Sequence, residues 1–527
     1  MTHVPARSYL PRHSLCPAYI AKITGVRELN LDRVLTALLA CGVAVLYTAI
    51  IFAFFDGTDQ ENRILYLATL GVPLGIGFFA APRIALYALG ILVYSVDWLA
   101  EYWQLLPREA TWLIDILVVM FALRYGLTMF SAKHKIFGVE KVILAVLVFA
   151  ILSAMVNGED TTTTLLGLRV GFRYLLLFLA AAGLHPKPDA ASKFIRFLFL
   201  IGLLQTPVIL WQWRFTAWIS EDELNGTFGR NQTPGIALFM LTLYCYMIAR
   251  MVETRKLRGA YLLAMVWMVV CPILGEAKFF FLLLPLFVAF MVRAEFIRKP
   301  AIAIAMSLIG LVMIVAVDYI IVETGFWREG RNPLTYVTKL PQVFQTEIER
   351  PQEGNFERSY RFVSAMHWAA KDARSFWFGH GPGSITLSYV SSGQSKVADF
   401  FAGYGLTSSA PSIPWMLIEY GYFGTALLMF VLFIIYRRGK VLRTSPEEDH
   451  RVYGRMLEGM TMLYVAWLFY QSAWQSDSMN FIYWPLAGIF VRLSYQVEET
   501  AENVKTVEPV KSSQELTVSP ALARQAS

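Results

Sequence analysis

Apolar runs of about 17–25 residues recur along nearly the whole chain, and they constrain its fold more than any other feature. Such a run crosses hydrocarbon as a helix because its backbone N–H and C=O groups are satisfied within one segment. Barrel strands instead alternate apolar and polar residues over about ten positions, a pattern that these unbroken Leu, Phe, Ala and Val runs lack. Charged residues make up 16% of the chain, against about 25% in ordinary globular domains, which leaves too little polar surface for a soluble protein. The expected fold is an all-α polytopic membrane protein.

The runs predict about fourteen transmembrane helices of roughly 20 residues. They fall near 34–55, 64–80, 84–100, 111–130, 140–156, 163–183, 194–215, 233–250, 259–275, 279–293, 300–322, 412–436, 456–473 and 479–495. Every second connection is basic, as at Arg83, at Lys133, Lys135 and Lys141, at Lys187 and Lys193, and at Arg250, Arg255, Lys256 and Arg258. Arg293, Arg298 and Lys299 continue the series, and Arg437, Arg438, Lys440, Arg443, Arg451 and Arg455 end it. The intervening connections are acidic or neutral, as at Asp56, Asp59, Glu159, Asp160 and Glu221–Glu223. Basic loops stay cytoplasmic, so both termini are expected there.

This pattern divides the chain into a cytoplasmic segment (1–33), eleven helices (34–322), a long periplasmic loop with short helices (323–411), three more helices (412–495) and a disordered cytoplasmic tail (496–527). The first run starts late and exceeds a signal-peptide core, so it is expected to be a retained anchor. Cys16, Cys41, Cys245 and Cys271 lie in the tail or in apolar runs, and no disulfide framework is expected. The net charge of +7 is accounted for by loop placement, and nucleic-acid binding is not expected.

Charges inside the runs are costly, about 2.5–3.5 kcal/mol for a mid-bilayer Arg on insertion scales, and so call for a reason. Arg169 and Arg173 share one helix face by their i, i+4 spacing, about 10–15 Å below the outer end of their span. They form either an anion site for phosphate, which Arg grips bidentately, or an ion pair with Asp97, Glu101 or Asp115. Gly167 and Gly171 leave room for a close neighbour beside them. Lys278, after the turn Gly275-Glu276-Ala277, is either interfacial or a phosphate ligand. Arg124 is expected to snorkel, and the turn-rich stretch Asn225–Pro234 offers backbone amides to a sugar or phosphate.

The long loop carries the remaining candidates. Residues 356–373 fit an amphipathic helix, with Phe362, Ala365, Met366 and Ala369 on the apolar stripe. Arg358 and Arg361 share one face, and Tyr360, Ser364, His367 and Lys371 line its neighbour. Phe378-Gly-His380-Gly-Pro-Gly-Ser384 lacks the Gly-Lys-Ser/Thr of a Walker loop and is expected to be a turn holding His380 near the membrane surface. Both histidines suit either a solvated loop or a proton-transfer role.

The order of these features resembles the O-antigen ligase and Wzy-type polymerase superfamily of membrane glycosyltransferases. Its members carry a deep Arg, an outer turn with Ser-Arg, and a long periplasmic loop with an Arg. Gly-x-Gly-x-Gly follows, then His-Asn and Glu-x-Gly-x-x-Gly. Here Arg169 or Arg173 matches the deep Arg, and Lys278 the turn Arg. Arg361 precedes Gly379-His-Gly381-Pro-Gly383, and Glu419-Tyr-Gly421-Tyr-Phe-Gly424 closes the series. The resemblance covers about residues 160–430. Ala410-Pro411 stands where the family has His-Asn, and Lys replaces Arg at the turn, so the chain looks like a divergent, exopolysaccharide-polymerase-like member.

The resemblance implies transfer of a glycan from a polyprenyl-diphosphate-linked oligosaccharide to a growing polysaccharide or lipid acceptor, without metal or cofactor. Arg169, Arg173, Lys278, Arg358 and Arg361 would bind diphosphate, and His380, His367 and Glu419 are the catalytic candidates. Chain-length regulator or export proteins are expected partners. Two other functions suit the same composition: a lipid-linked oligosaccharide flippase, and a non-catalytic membrane component of a polysaccharide export complex.

Overall fold

The structure is a computed structural model that describes residues 81–106, 108–129, 137–184, 188–215, 224–256, 258–275, 277–293, 315, 319, 358–386 and 396–515. Those from Pro82 onward belong to one compact unit. Among the described residues the chain forms helices and no strand. The first half contains α1 (Pro82–Val93), α2 (Val96–Glu101), α3 (Trp112–Met129), α4 (Gly138–Asn157), α5 (Thr161–Gly183) and α6 (Pro188–Phe215). Then come α7 (Thr233–Thr254), α8 (Gly259–Leu274) and α9 (Lys278–Met291). Three short helices, α10 (Arg358–Ala369), α11 (Ala373–Phe378) and α12 (Lys396–Ala402), precede α13 (Ser412–Arg443), α14 (Glu448–Tyr470) and α15 (Asp477–Glu515).

Five of these helices, α4 to α7 and α13, are long and apolar enough to cross a membrane. Their ends are written in local chemistry. The Glu140 carboxylate accepts the Phe137 N–H at 2.9 Å at the start of α4, and Gly158 ends it with φ of 66°. Asp160 caps α5 by accepting the Thr163 N–H at 2.9 Å.

The spans expected at 34–55 and 64–80, and nearly all of 300–322, lie outside the described residues. The single span expected at 84–100 is two helices, because the backbone leaves helical geometry at Ser95, whose hydroxyl turns back to the Ile91 carbonyl at 2.6 Å. The last helix runs past 495 into the segment expected as a disordered tail, with Glu498 paired to Arg438 of α13 through Oε2 and Nη1 at 2.5 Å.

The core is built on α13 and α14, which pack on each other more extensively than any other pair, with α7 on α14 and α15 on α5. Backbones approach closely where glycines face one another. A Cβ at Gly454 would meet the Gly439 carbonyl oxygen at 2.6 Å, and one at Gly488 would collide with the Phe178 carbonyl. The turn from α14 into α15 is closed by Asn480, whose amide donates to the carbonyls of Ala473 and Trp474 at 2.9 and 2.7 Å. The Trp484 indole and the Tyr464 hydroxyl donate to its side-chain oxygen.

The two ends of this unit differ in chemistry. One gathers ion pairs: Glu458 joins Arg293 and Arg443, Glu253 joins Arg451 and Arg455, and Arg250 joins Glu448 and Asp449. The other gathers the connections at 158–160, 224–232, 379–386 and 471–476. Gly421 in α13 has φ of 65°, and a Cβ there would lie 2.6 and 2.7 Å from the carbonyl oxygens of Phe376 and Ser375. With ψ of −173° this is a region that essentially only glycine occupies, and another residue there costs about 1–3 kcal/mol before any collision. Gly421→Ala is therefore expected to lower the thermal unfolding midpoint of the purified protein by several degrees. Gly126→Ala, which meets nothing within 4 Å, should leave that midpoint unchanged or raise it.

Candidate functional site

The glycine-rich turn after α11 is locked into the helical unit backbone to backbone. The His380 N–H donates to the Ile418 carbonyl at 2.8 Å, and the Gly381 N–H donates to the Glu419 carbonyl at 3.0 Å. Gly379, Gly381 and Gly383 have φ of 66°, 96° and 89°, which only glycine adopts without strain. Each also lies where a side chain would not fit: Gly379 against the Gly421 nitrogen at 2.5 Å, Gly381 against Glu159, and Gly383 against the Thr163 carbonyl of α5. The reciprocal contact is Gly167, where a Cβ would collide with the backbone of Pro382 and Gly383. Glu419 lies beneath the turn, fully buried, with Oε1 accepting from the Thr386 hydroxyl at 2.8 Å and from the Ile385 N–H at 3.4 Å. Its Oε2 is enclosed without a partner among the described residues.

His380 is half-buried on this turn, its ring edge-on to Phe401 at 5.0 Å. Its Nε2 is enclosed and has no partner among the described residues. Burial lowers its pKa from 6.5, Arg374 and Lys371 lower it further, and Asp372 opposes them. The imidazole is thus neutral at physiological pH. His367, on α10, is exposed and stands edge-on to Trp368 at 5.6 Å. The two histidines flank one aromatic group, since Trp368 also lies 6.1 Å from Phe401.

On α10, Ala365 and Ala369 are buried as expected of the apolar stripe, while Met366 stays 45% exposed. Phe362 stacks on Phe469 of α14 at 5.9 Å, and the Arg358 guanidinium lies 4.1 Å over the Tyr470 ring. Arg361 is half-buried with Nη1 3.5 Å from the Ser409 carbonyl, beside Ala410. Burial and the Arg358 charge both push its pKa down. Among the described residues neither arginine has a carboxylate within ion-pair distance.

Arg169 and Arg173 form a second group, on the far face of α5. Arg169 lies two positions beyond Gly167, about 200° around the helix, and Arg173 six positions, about 240°, so the arginines point away from the glycine turn. Arg169 donates through Nε and Nη2 to Oδ2 of Asp115 on α3, at 2.9 and 2.5 Å. Arg173 donates to Asp115 Oδ1 at 2.7 Å and to Asp477 at the start of α15. Asp115 is one of the acids expected as a partner. Asp477 is a partner that reading the sequence did not find, and the signal for it is the polar run Gln475-Ser-Asp477-Ser at the mouth of the last apolar run.

The segment 471–477 ties the two groups together. The Trp474 indole donates to the Gly171 carbonyl of α5 at 2.9 Å, and the Ser412 N–H and hydroxyl both donate to the Gln471 carbonyl, at 3.0 and 3.1 Å. Gln232 accepts from Ser478 at 3.2 Å, and Gln212 makes paired bonds with the backbone of Gly226, which fixes the Asn225–Pro234 stretch. Arg230 lies over the Tyr102 ring, and its N–H donates to Glu101 at 2.7 Å. Lys278 opens α9 at the turn after Gly275, on the same end of the unit. Among the described residues no three His, Cys, Asp or Glu side chains gather as metal ligands.

A histidine held neutral by burial adds stability that is complete above its unfolded pKa of about 6.5. That stability is lost as the pH falls through the lower folded value, because the unfolded state then binds the extra proton. The unfolding midpoint should therefore drop between pH 7.5 and pH 5, and His380→Gln should show a smaller drop. Equal drops in both proteins would contradict the buried, neutral ring.

In comparison with known proteins, no family model matches the chain, and no curated protein matches it.

Proposed function

We propose that this chain is a bacterial inner-membrane glycosyltransferase that polymerises or ligates polyprenyl-diphosphate-linked oligosaccharide units on the outer face. The observation that carries this reading is the interlock of Gly379–Gly383 with Glu419–Gly421 and with Gly167. Motifs that resemble one superfamily by their order alone are in backbone contact with one another and with the arginine-bearing helix. The collection of Arg250, Arg293, Arg443, Arg451 and Arg455 at the opposite end supports a cytoplasmic assignment for that end and an outer one for the turn.

In this mechanism an acceptor hydroxyl oxygen attacks the anomeric carbon of the donor sugar, and the bond from that carbon to the diphosphate oxygen breaks. The leaving diphosphate takes the electron pair, and its charge is neutralised by cations drawn from Arg169, Lys278, Arg358 and Arg361. The hydroxyl proton passes to a base, for which the candidate is His380, its neutral ring half-buried on the turn. His367 is exposed on the same aromatic group and serves acceptor binding. Glu419, fully enclosed, holds the turn through Thr386 and Ile385 rather than touching substrate.

Arg361→Ala is expected to reduce polymer in cells at least about 100-fold, the scale of losing one preorganised charge contact, with the chain retained in the membrane. Single lipid-linked units should then accumulate on the outer face. Accumulation on the inner face would instead make the protein a flippase.

A further inference from the structure

The two intramembrane arginines are committed to different degrees. Arg169 presents Nε and Nη2 to one oxygen of Asp115, which grips one edge of the guanidinium. Its Nη1 has no partner among the described residues, and the side chain remains 37% exposed. Arg173 is only 10% exposed, with Nη1 on Asp115, Nη2 on Asp477 and Nε enclosed without a partner. Its enclosure leaves little of the guanidinium within reach of a ligand. Asp115 stands between them, Oδ2 setting the plane of Arg169 and Oδ1 held by Arg173.

Desolvation explains the arrangement. Two arginines on one face would repel each other at low dielectric and draw in water or snorkel. Asp115 and Asp477 balance their two charges. Asp477 comes from α15 and Asp115 from α3, so Arg173 joins three helices. The guanidinium beside it is thereby held still, with one edge bare, which is the geometry a fork needs to meet phosphate oxygens.

We propose that Arg169 alone of this pair contacts the diphosphate, that Asp115 is a positioning residue for its guanidinium, and that Arg173 with Asp477 is the strut that fixes Asp115. This assignment rests on the diphosphate-transfer reading above.

The test uses the full chain in phosphatidylcholine and phosphatidylglycerol nanodiscs, with inorganic diphosphate as the probe and thermal unfolding in parallel. Arg169→Gln should weaken binding at least tenfold, with a smaller fall in the unfolding midpoint than Arg173→Gln, because Asp115 and Asp477 both keep Arg173. Asp115→Asn should weaken it about five- to tenfold, with partial rescue by Asp115→Glu, which a purely structural role would not show. Arg173→Gln should lower the midpoint by several degrees. Adding Asp477→Asn, which removes the orphaned charge, should recover the midpoint and leave a smaller binding loss than Arg169→Gln. Tighter binding by Asp115→Asn would make Asp115 a competing counter-ion and overturn the assignment. So would a folded Arg173→Gln/Asp477→Asn protein that binds as poorly as Arg169→Gln. If the unaltered chain bound no diphosphate at all, the diphosphate reading itself would fail first.

Discussion

The contact on which the candidate site depends is the meeting of three backbones without side chains between them. Gly167 of α5, Gly379 and Gly383 of the turn, and Gly421 of α13 approach so closely that a single Cβ would strike main chain at each position. Such a junction is held by two N–H to carbonyl bonds from His380 and Gly381, and by the Ser153 hydroxyl on the Phe378 carbonyl at 2.6 Å. Each buried polar group that is paired there spares the cost of leaving it unmade, about 1–3 kcal/mol. The loop segment is therefore part of the helical unit rather than a flap above it, and His380 has a fixed place.

The second organising force is the cost of charge away from water. At the end rich in Arg and Lys, the carboxylates of Glu253 and Glu458 are each shared by two arginines. At α5 the same device appears, one aspartate serving two arginines. Burying such groups adds little net stability, but removing one partner leaves an uncompensated charge at about 3–5 kcal/mol. Arg358 and Arg361 contrast with this pattern, because among the described residues no carboxylate compensates them.

Helices were legible because hydrophobic length is a local property: the runs at 140–156, 163–183 and 233–250 match α4, α5 and α7 within a few residues. The glycine turn was legible as a turn, since three alternate glycines demand φ values that other residues avoid. Its docking partner was not, because a Cβ-free surface on α5 leaves no periodic signal beyond Gly167 and Gly171. Helical spacing placed Arg169 and Arg173 on one face, but which acids they meet depends on how α3 and α15 pack, more than 50 and 300 residues away. The break at Ser95 was hidden for a related reason. A hydroxyl competing for the Ile91 carbonyl changes no hydropathy.

The proposed function is transfer of a glycan away from a polyprenyl diphosphate at the end of the unit that carries the glycine turn. The most direct test is incubation of the purified full chain, in lipid vesicles, with a polyprenyl-diphosphate-linked oligosaccharide, reading glycan length and free polyprenyl diphosphate together. The account predicts longer glycans, as a ladder or a single transfer, with one polyprenyl diphosphate released for each bond formed. Donor that stays intact, whether it remains in place or crosses the bilayer, would contradict it.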